Sequence, residues 1–381
     1  MKLTKIKDYL NEKFTELINK NFIEDFNPNQ IVSKKKALLY YKCSHKFNKS
    51  KIGTTEYQSL SIAKAMNKSG YIVTVVDRKL KFKIKKNYDL FVGAFNTGGF
   101  KHFEYILNQL TKKTKKVGLS TGANPQLMRK EFQKREKMFI QRNKKKLKHM
   151  KRYSLVNFNK FRSKLDYLIY FGYKKGFVDK SYYNFKKKID VRPCISDSIK
   201  SKKKLFRDNL LKNYVYYSGS GFLHKGLDLV IEFFIKNPKL KLYICSANYE
   251  KQFLKFYNLN KYKNIFFKGN VKEDSKKAKQ IFDNCGFIIS LNCSGGGSAA
   301  LAVGRRYGLI PVVLKNEDCN PKSCFFVKNE NFNEIKKTVN KLSKLNKNKY
   351  IKLSRENQII SNENSSDNYS KKFYKIFKKI S

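Results

Sequence analysis

The chain has 381 residues, 41% of them apolar and 30% charged, too long for one ordinary domain and apolar enough for two with cores of their own. No stretch of 18 or more apolar residues occurs, which excludes a membrane-spanning helix. Seven scattered cysteines without a CxxC pair, beside four histidines, argue against a zinc site or a disulfide framework.

Lys and Arg outnumber Asp and Glu 84 to 29, a net charge of +55. Such a charge points either to an anionic partner or to a genome biased toward Lys and Asn codons; the absence of Trp and the scarcity of Arg beside Lys favour bias. The basic residues are spread, with no zinc finger or RNP motif, so no nucleic-acid partner is expected. Peripheral contact with an anionic membrane surface stays open. The N-terminus lacks an apolar h-region, so no secretory signal is read and a reducing, cytoplasmic setting is expected.

In chain order, Leu3, Ile6, Leu10, Phe14 and Leu17 have helical spacing, and an amphipathic helix is expected within 1–30. Its Asp8, Glu12 and Glu16 weaken attraction to anionic lipid and favour packing on the body of the protein. A βα alternation starts with a buried strand at Ala37–Tyr41 and a helix at 57–69 that stops at Gly70. Strands follow at 71–77, 89–93 and 116–120, with a helix near 101–112 between the last two. A long basic helix is expected over 126–152, then a strand at 165–171. A polar stretch with Pro193 marks an interdomain linker at 191–212. The alternation restarts with strands at 214–217, 240–246, 264–268, 286–291 and 310–314 and helices at 225–236, 250–259, 275–284 and 298–307. Short apolar strands alternating with helices imply parallel sheets covered on both faces. The fold class expected is therefore α/β, two Rossmann-like doubly wound domains, 31–190 and 213–360, facing each other across a cleft. A helix in 361–381 is expected to return to the first domain.

Two segments of the second domain are suited to an anion. Tyr217-Ser218-Gly219-Ser220-Gly221 leads from a strand toward Lys225 at a helix start. Cys293-Ser294-Gly295-Gly296-Gly297-Ser298 joins another strand to a helix. Small residues admit a ligand to the backbone, and N–H groups at a helix N-terminus attract negative charge. Each alone reads equally as a tight connection; together, at strand ends of one domain, they favour a nucleotide diphosphate. In the first domain, Gly53 and Thr54 lie in the first βα loop, and Asn124 follows the fourth strand. Glu131, Arg135 and Arg142 share a helix face, read either as a cleft-facing stripe for acceptor or phosphate or as a solvated salt-bridged face. His102 is a candidate general base or a plain surface residue, Glu131 a weaker catalytic candidate, and His224 a shaper of its turn. No D-x-D motif, Walker A motif or nucleophile elbow occurs, and no metal site is expected.

The ordered set G-x5-K-G-L-D from Gly219, N-I-F-F-K-G-N-V from Asn264 and C-S-G-G-G-S from Cys293, with G-L-I-P-V-V from Gly308, resembles the donor half of GT-B glycosyltransferases, in particular bacterial family 1 and family 4 members. The likeness covers about 215–315. It implies that Lys225 binds a donor diphosphate and that Gly296, Gly297 and Ser298 face it. It further implies a nucleotide-sugar donor consumed as substrate, no separate cofactor, and a glycan or lipid-linked acceptor of cell-envelope polysaccharide assembly. The chain departs from the pattern at Ser220, where relatives have Arg, and at Gly295 and Val303, where they have Glu. Loss of those carboxylates removes charge-assisted bonds to sugar hydroxyls, which leaves open a catalytically inactive binding relative. A basic nucleic-acid-binding protein and a nucleotide-sugar epimerase are the remaining alternatives.

Overall fold

The computed structural model describes residues 21–43, 54–96, 102–148, 152–153, 155–201, 204–247, 250–296 and 298–380. The expected helix in 1–30 falls largely, and Gly53 and Gly297 fall wholly, outside these residues.

The first half builds one sheet from β1 (Phe22–Phe26), β2 (Lys36–Tyr41), β3 (Ile72–Asp77), β4 (Leu90–Ala94), β5 (Lys115–Ser120), β6 (Tyr167–Phe171) and β7 (Lys188–Val191). Their order in space is β1-β3-β2-β4-β5-β6-β7. All pairs are parallel except β1 with β3, which is antiparallel. Ala37 through Tyr40 of β2 are fully buried, because helices cover both faces of a central parallel strand. The helices are α1 (Thr54–Lys68), α2 (Phe103–Gln109), α3 (Pro125–Asn143), α4 (Phe158–Phe161) and α5 (Phe177–Ser181).

The second half repeats the plan with an all-parallel sheet ordered β10-β9-β8-β11-β12-β13. Its strands are β8 (Asn213–Tyr217), β9 (Lys241–Cys245), β10 (Ile265–Gly269), β11 (Phe287–Ser290), β12 (Ile310–Leu314) and β13 (Phe325–Val327). They alternate with α6 (Leu227–Ile235), α7 (Lys251–Tyr257), α8 (Lys276–Asp283), α9 (Ala299–Arg306) and α10 (Phe332–Ser343), and α11 (Lys347–Ile360) and α12 (Ser366–Ile380) follow. The chain thus has the α/β architecture of two Rossmann-like units.

Two helices tie the halves together. α12 buries Tyr369, Phe373, Ile376, Phe377 and Ile380 in the core of the first half, with the Tyr369 ring edge-on to Phe171 of β6. α3 starts in that same core through Met128 but buries Phe132 and Phe139 in the core of the second half. It is shorter than the sequence suggests. Asn124 caps its first turn by accepting from the Gln126 N–H at 3.0 Å, and Lys144 adopts a left-handed conformation that ends it. Lys145, Lys146 and Lys148, next in the chain, therefore lie outside the helix.

Candidate functional site

The carboxyl ends of both sheets border a single cleft of about 650 Å³. From the first half come Tyr41, Arg78, Thr121, Gly122 and Phe171, at or just beyond β2, β3, β5 and β6; from the second come Tyr217–Ser220, Cys245, Asn270 and Asn292, at or just beyond β8, β9, β10 and β11. Crevices outside strand carboxyl ends are where doubly wound folds hold ligands.

At the base of the cleft the halves meet backbone to backbone. A Cβ placed on Gly296 would lie 3.4 Å from the Thr121 carbonyl oxygen and 3.5 Å from the Gly122 Cα. The turn ends at Ser298, which caps α9 by accepting from the Leu301 N–H at 3.4 Å. Gly295 has φ +58, and a Cβ there would lie 2.0 Å from the Asn316 carbonyl oxygen and 2.6 Å from the Phe177 ring. No side chain fits at this position without moving backbone, so a Glu is sterically barred from it. Val303, the other position where relatives carry Glu, is buried in the core beneath α9.

His224 joins the two loops of the second half. Its Nε2 lies 2.8 Å from Ser294 Oγ, its carbonyl accepts from the Cys293 N–H at 3.1 Å, and its ring stacks on Phe132 of α3. Burial first, then the nearby Lys225, Arg152 and Arg135 cations, hold its pKa well below the ordinary value, so the ring is neutral at pH 7. Lys225 lines the cleft beside it. Burial lowers the Lys225 pKa and Arg152 adds to that, while the Glu317 carboxylate opposes it. Glu317 is 2% exposed, and burial pushes it up to about 8 against the pull of Lys225. Across the cleft mouth the Thr54 hydroxyl donates to Glu273 at 3.3 Å, linking α1 to the second half.

Of the residues singled out from sequence, Thr54, Gly219, Ser220, Lys225, Gly295, Gly296 and Ser298 line this one cleft. The others do not. Asn124 spends its side-chain oxygen on the α3 cap, and its N–H donates to Ser181 Oγ at 2.9 Å. His102 is the N-cap residue of α2 without a side-chain cap bond, and neither it nor Glu131 borders the cleft.

The reading of Arg135 and Arg142 as a cleft-facing stripe is corrected. Arg135 is fully buried. Its guanidinium donates to Glu330 Oε1 at 2.6 and 2.9 Å and to the Leu291 carbonyl at 2.9 Å, and it lies 3.7 Å from Asp228. Arg142 pairs with Asp228 and Glu232. These arginines bolt α3 to the second half, and neither lines the cleft.

Sequence reading missed Arg78, Arg152, Glu273 and Asn292, all of which line the cleft. Arg78 and Asn292 stand just past β3 and β11, and that strand-end position was a usable signal. Arg152 closes a dense basic run in which no single residue stands out.

No protein-family model and no curated protein sequence matches the chain. Solved structures do. A glycosyltransferase from Rickettsia africae aligns with TM-score 0.59 and 12% identity over 91% of this chain and 99% of that one. HepE of Anabaena, in complex with UDP and glucose, gives 0.58 and 10% over 90% and 99%. WaaG, a glycosyltransferase involved in lipopolysaccharide biosynthesis, gives 0.54 and 10% over 90% and 99%. The chain spans 55% of the length of S. aureus TarM, which it matches at TM-score 0.50 and 14% identity over 76% of its own length. At such identities the shared property is architecture, and in architecture the chain is a GT-B protein, with the two facing Rossmann-like domains of these glycosyltransferases.

Proposed function

We propose that the chain is a glycosyltransferase that takes a nucleotide-sugar in the second half and an acceptor from the side of the first. The observation carrying this reading is the convergence of Lys225, the turn at Gly295–Gly296 and the capped N-terminus of α9 on one cleft at the strand carboxyl ends. An ammonium and a helix N-terminus together stabilise the negative charge that collects on a departing nucleoside diphosphate. Transfer exchanges the sugar–phosphate C–O bond for a C–O bond to an acceptor hydroxyl. The donor is consumed as substrate, and no cofactor enters the proposal.

The acceptor we propose is a glycan or lipid-linked glycan of cell-envelope polysaccharide assembly, by analogy with WaaG. A charge of +55 suits work at an anionic membrane face, and no described helix is long and apolar enough to cross one. We place the protein on the cytoplasmic side, where nucleotide-sugars are made.

Gly295 favours a second reading, a catalytically inactive relative that retains diphosphate binding, because a sugar-contacting Glu cannot stand there. A thermal-shift panel of nucleotide-sugars, followed by assay of nucleoside diphosphate release with and without acceptor glycans, separates the two. Stabilisation by one donor together with acceptor-dependent release supports the enzyme. Stabilisation with no release under any acceptor supports the binding relative, and stabilisation by no member of the panel rejects both.

A further inference from the structure

The cleft holds more positive charge than the donor motifs account for. Among its described lining residues are three basic side chains, Arg78, Arg152 and Lys225, and one carboxylate, Glu273. The cations come from three places in the chain: Arg78 follows β3, Arg152 follows the basic run after α3, and Lys225 precedes α6.

Their proximity is unfavourable on its own. Burial and then the Arg78 charge lower the Arg152 pKa, with Glu250 opposing, and Arg152 in turn disfavours the charged forms of Lys225 and His224. The nearby acids also serve the backbone and the helix starts. Glu250 accepts from the N–H groups of Gly221 and Phe222 at 2.6 and 2.9 Å, Glu273 accepts from Thr54, and Glu317 lies behind Lys225. Like charges gathered at the edge of a low-dielectric cleft are repaid when an anion with several charges arrives.

The backbone is shaped to admit the arginine. A Cβ on Gly221 would lie 2.2 Å from Arg152 Cγ and 2.8 Å from Cδ. The stem of Arg152 therefore lies across Gly221, in the loop after β8 that leads to Lys225, and Arg152 is among the residues lining the cleft. Any side chain at 221 would expel it. A guanidinium fork matches phosphate oxygens two at a time, which a lysine does not.

We propose that Arg152 and Arg78, both contributed by segments before the second sheet, are diphosphate-binding residues that close a three-cation clamp with Lys225 around the donor. This rests on the donor reading above and adds to it two guanidinium groups beside the Lys225 ammonium.

Calorimetric titration of UDP, UMP and inorganic pyrophosphate into the full chain tests the clamp, comparing wild type with Arg152→Gln and Arg78→Gln. Thermal melts check that each variant folds, and Arg152→Lys, which keeps the charge and loses the fork, serves if Arg152→Gln does not. The clamp predicts that each Gln variant binds UDP and pyrophosphate about 10- to 100-fold more weakly, the range for one lost charge-assisted bond, and UMP with a much smaller loss. Wild type that binds UDP with both folded Gln variants within twofold of it overturns the clamp and leaves the donor reading standing. Wild type that binds pyrophosphate, with the variants losing it, but binds no nucleoside diphosphate keeps the clamp as a site for phosphate-bearing anions and rejects the donor reading.

Discussion

Gly295 and Lys225 carry the chemistry of the site at the residue scale. Because no Glu fits at 295, the proposed donor site grips through backbone N–H groups and cations, suited to the diphosphate rather than the sugar. The free nucleoside diphosphate is therefore expected to bind about as tightly as the intact nucleotide-sugar. Calorimetry of both ligands checks this, and a donor bound about a hundredfold tighter would mean that some other residue holds the sugar. Lys225 adds a pH dependence of definite sign. In the proposed site its ammonium attracts the diphosphate; its pKa is lowered by burial, and burial pushes that of nearby Glu317 up to about 8. Both ionisations remove positive charge as pH rises. A phosphate monoester, with a second pKa of about 6, is already fully ionised there. Affinity for UDP should fall steadily between pH 7 and 10, whereas an ordinary lysine would hold it to about 10.4. A profile flat to pH 10 would contradict this placement of Lys225.

The element that most changes the picture is α3. Its sequence offers Glu131, Arg135 and Arg142 on one face, and periodicity cannot tell what covers that face. The partners Asp228, Glu232 and Glu330 lie 86, 90 and 195 residues away, a distance at which local pattern carries no information. Its end was misread for a different reason: Lys and Arg are good helix formers, and only the left-handed backbone at Lys144 stops the helix. The buried strands, by contrast, were legible within a residue or two, since both faces of a parallel sheet demand unbroken apolar runs. β1 escaped notice because it is a partly exposed antiparallel edge strand with two acids, Glu24 and Asp25. Removing the α3 bolt should be costly. Arg135→Ala leaves the Glu330 carboxylate without its buried cation and Asp228 with Arg142 alone, and a loss of about 3–5 kcal/mol is expected in unfolding free energy from denaturant titration. A loss under about 1 kcal/mol would show that water replaces the guanidinium. α12 should behave as part of the first half. Phe373→Ala, at a fully buried position in that core, is expected to cost about 3–5 kcal/mol by the same measurement.

For the whole molecule, the doubly wound pattern was readable because each half repeats it and Pro193 and the polar stretch after it separate the repeats. The cleft was readable in its glycine turns and Lys225, where strand ends and helix starts fix what a loop can do. Arg78, Arg152 and Glu273 were not, because they are brought to the cleft by the way the halves meet. That meeting is held by α3, by α12 and by Asp318, whose carboxylate accepts from the N–H groups of Tyr173, Phe177 and Val178 in the first half. The central claim is that this shared cleft binds a nucleoside diphosphate through Lys225. It is tested most directly by calorimetric titration of a nucleoside diphosphate panel into wild type and Lys225→Ala. The account predicts that at least one member binds wild type and binds the variant about 1.5–3 kcal/mol more weakly, the worth of a hydrogen bond to a charged group. Equal binding by a folded Lys225→Ala variant, or binding of no member by wild type, would contradict it.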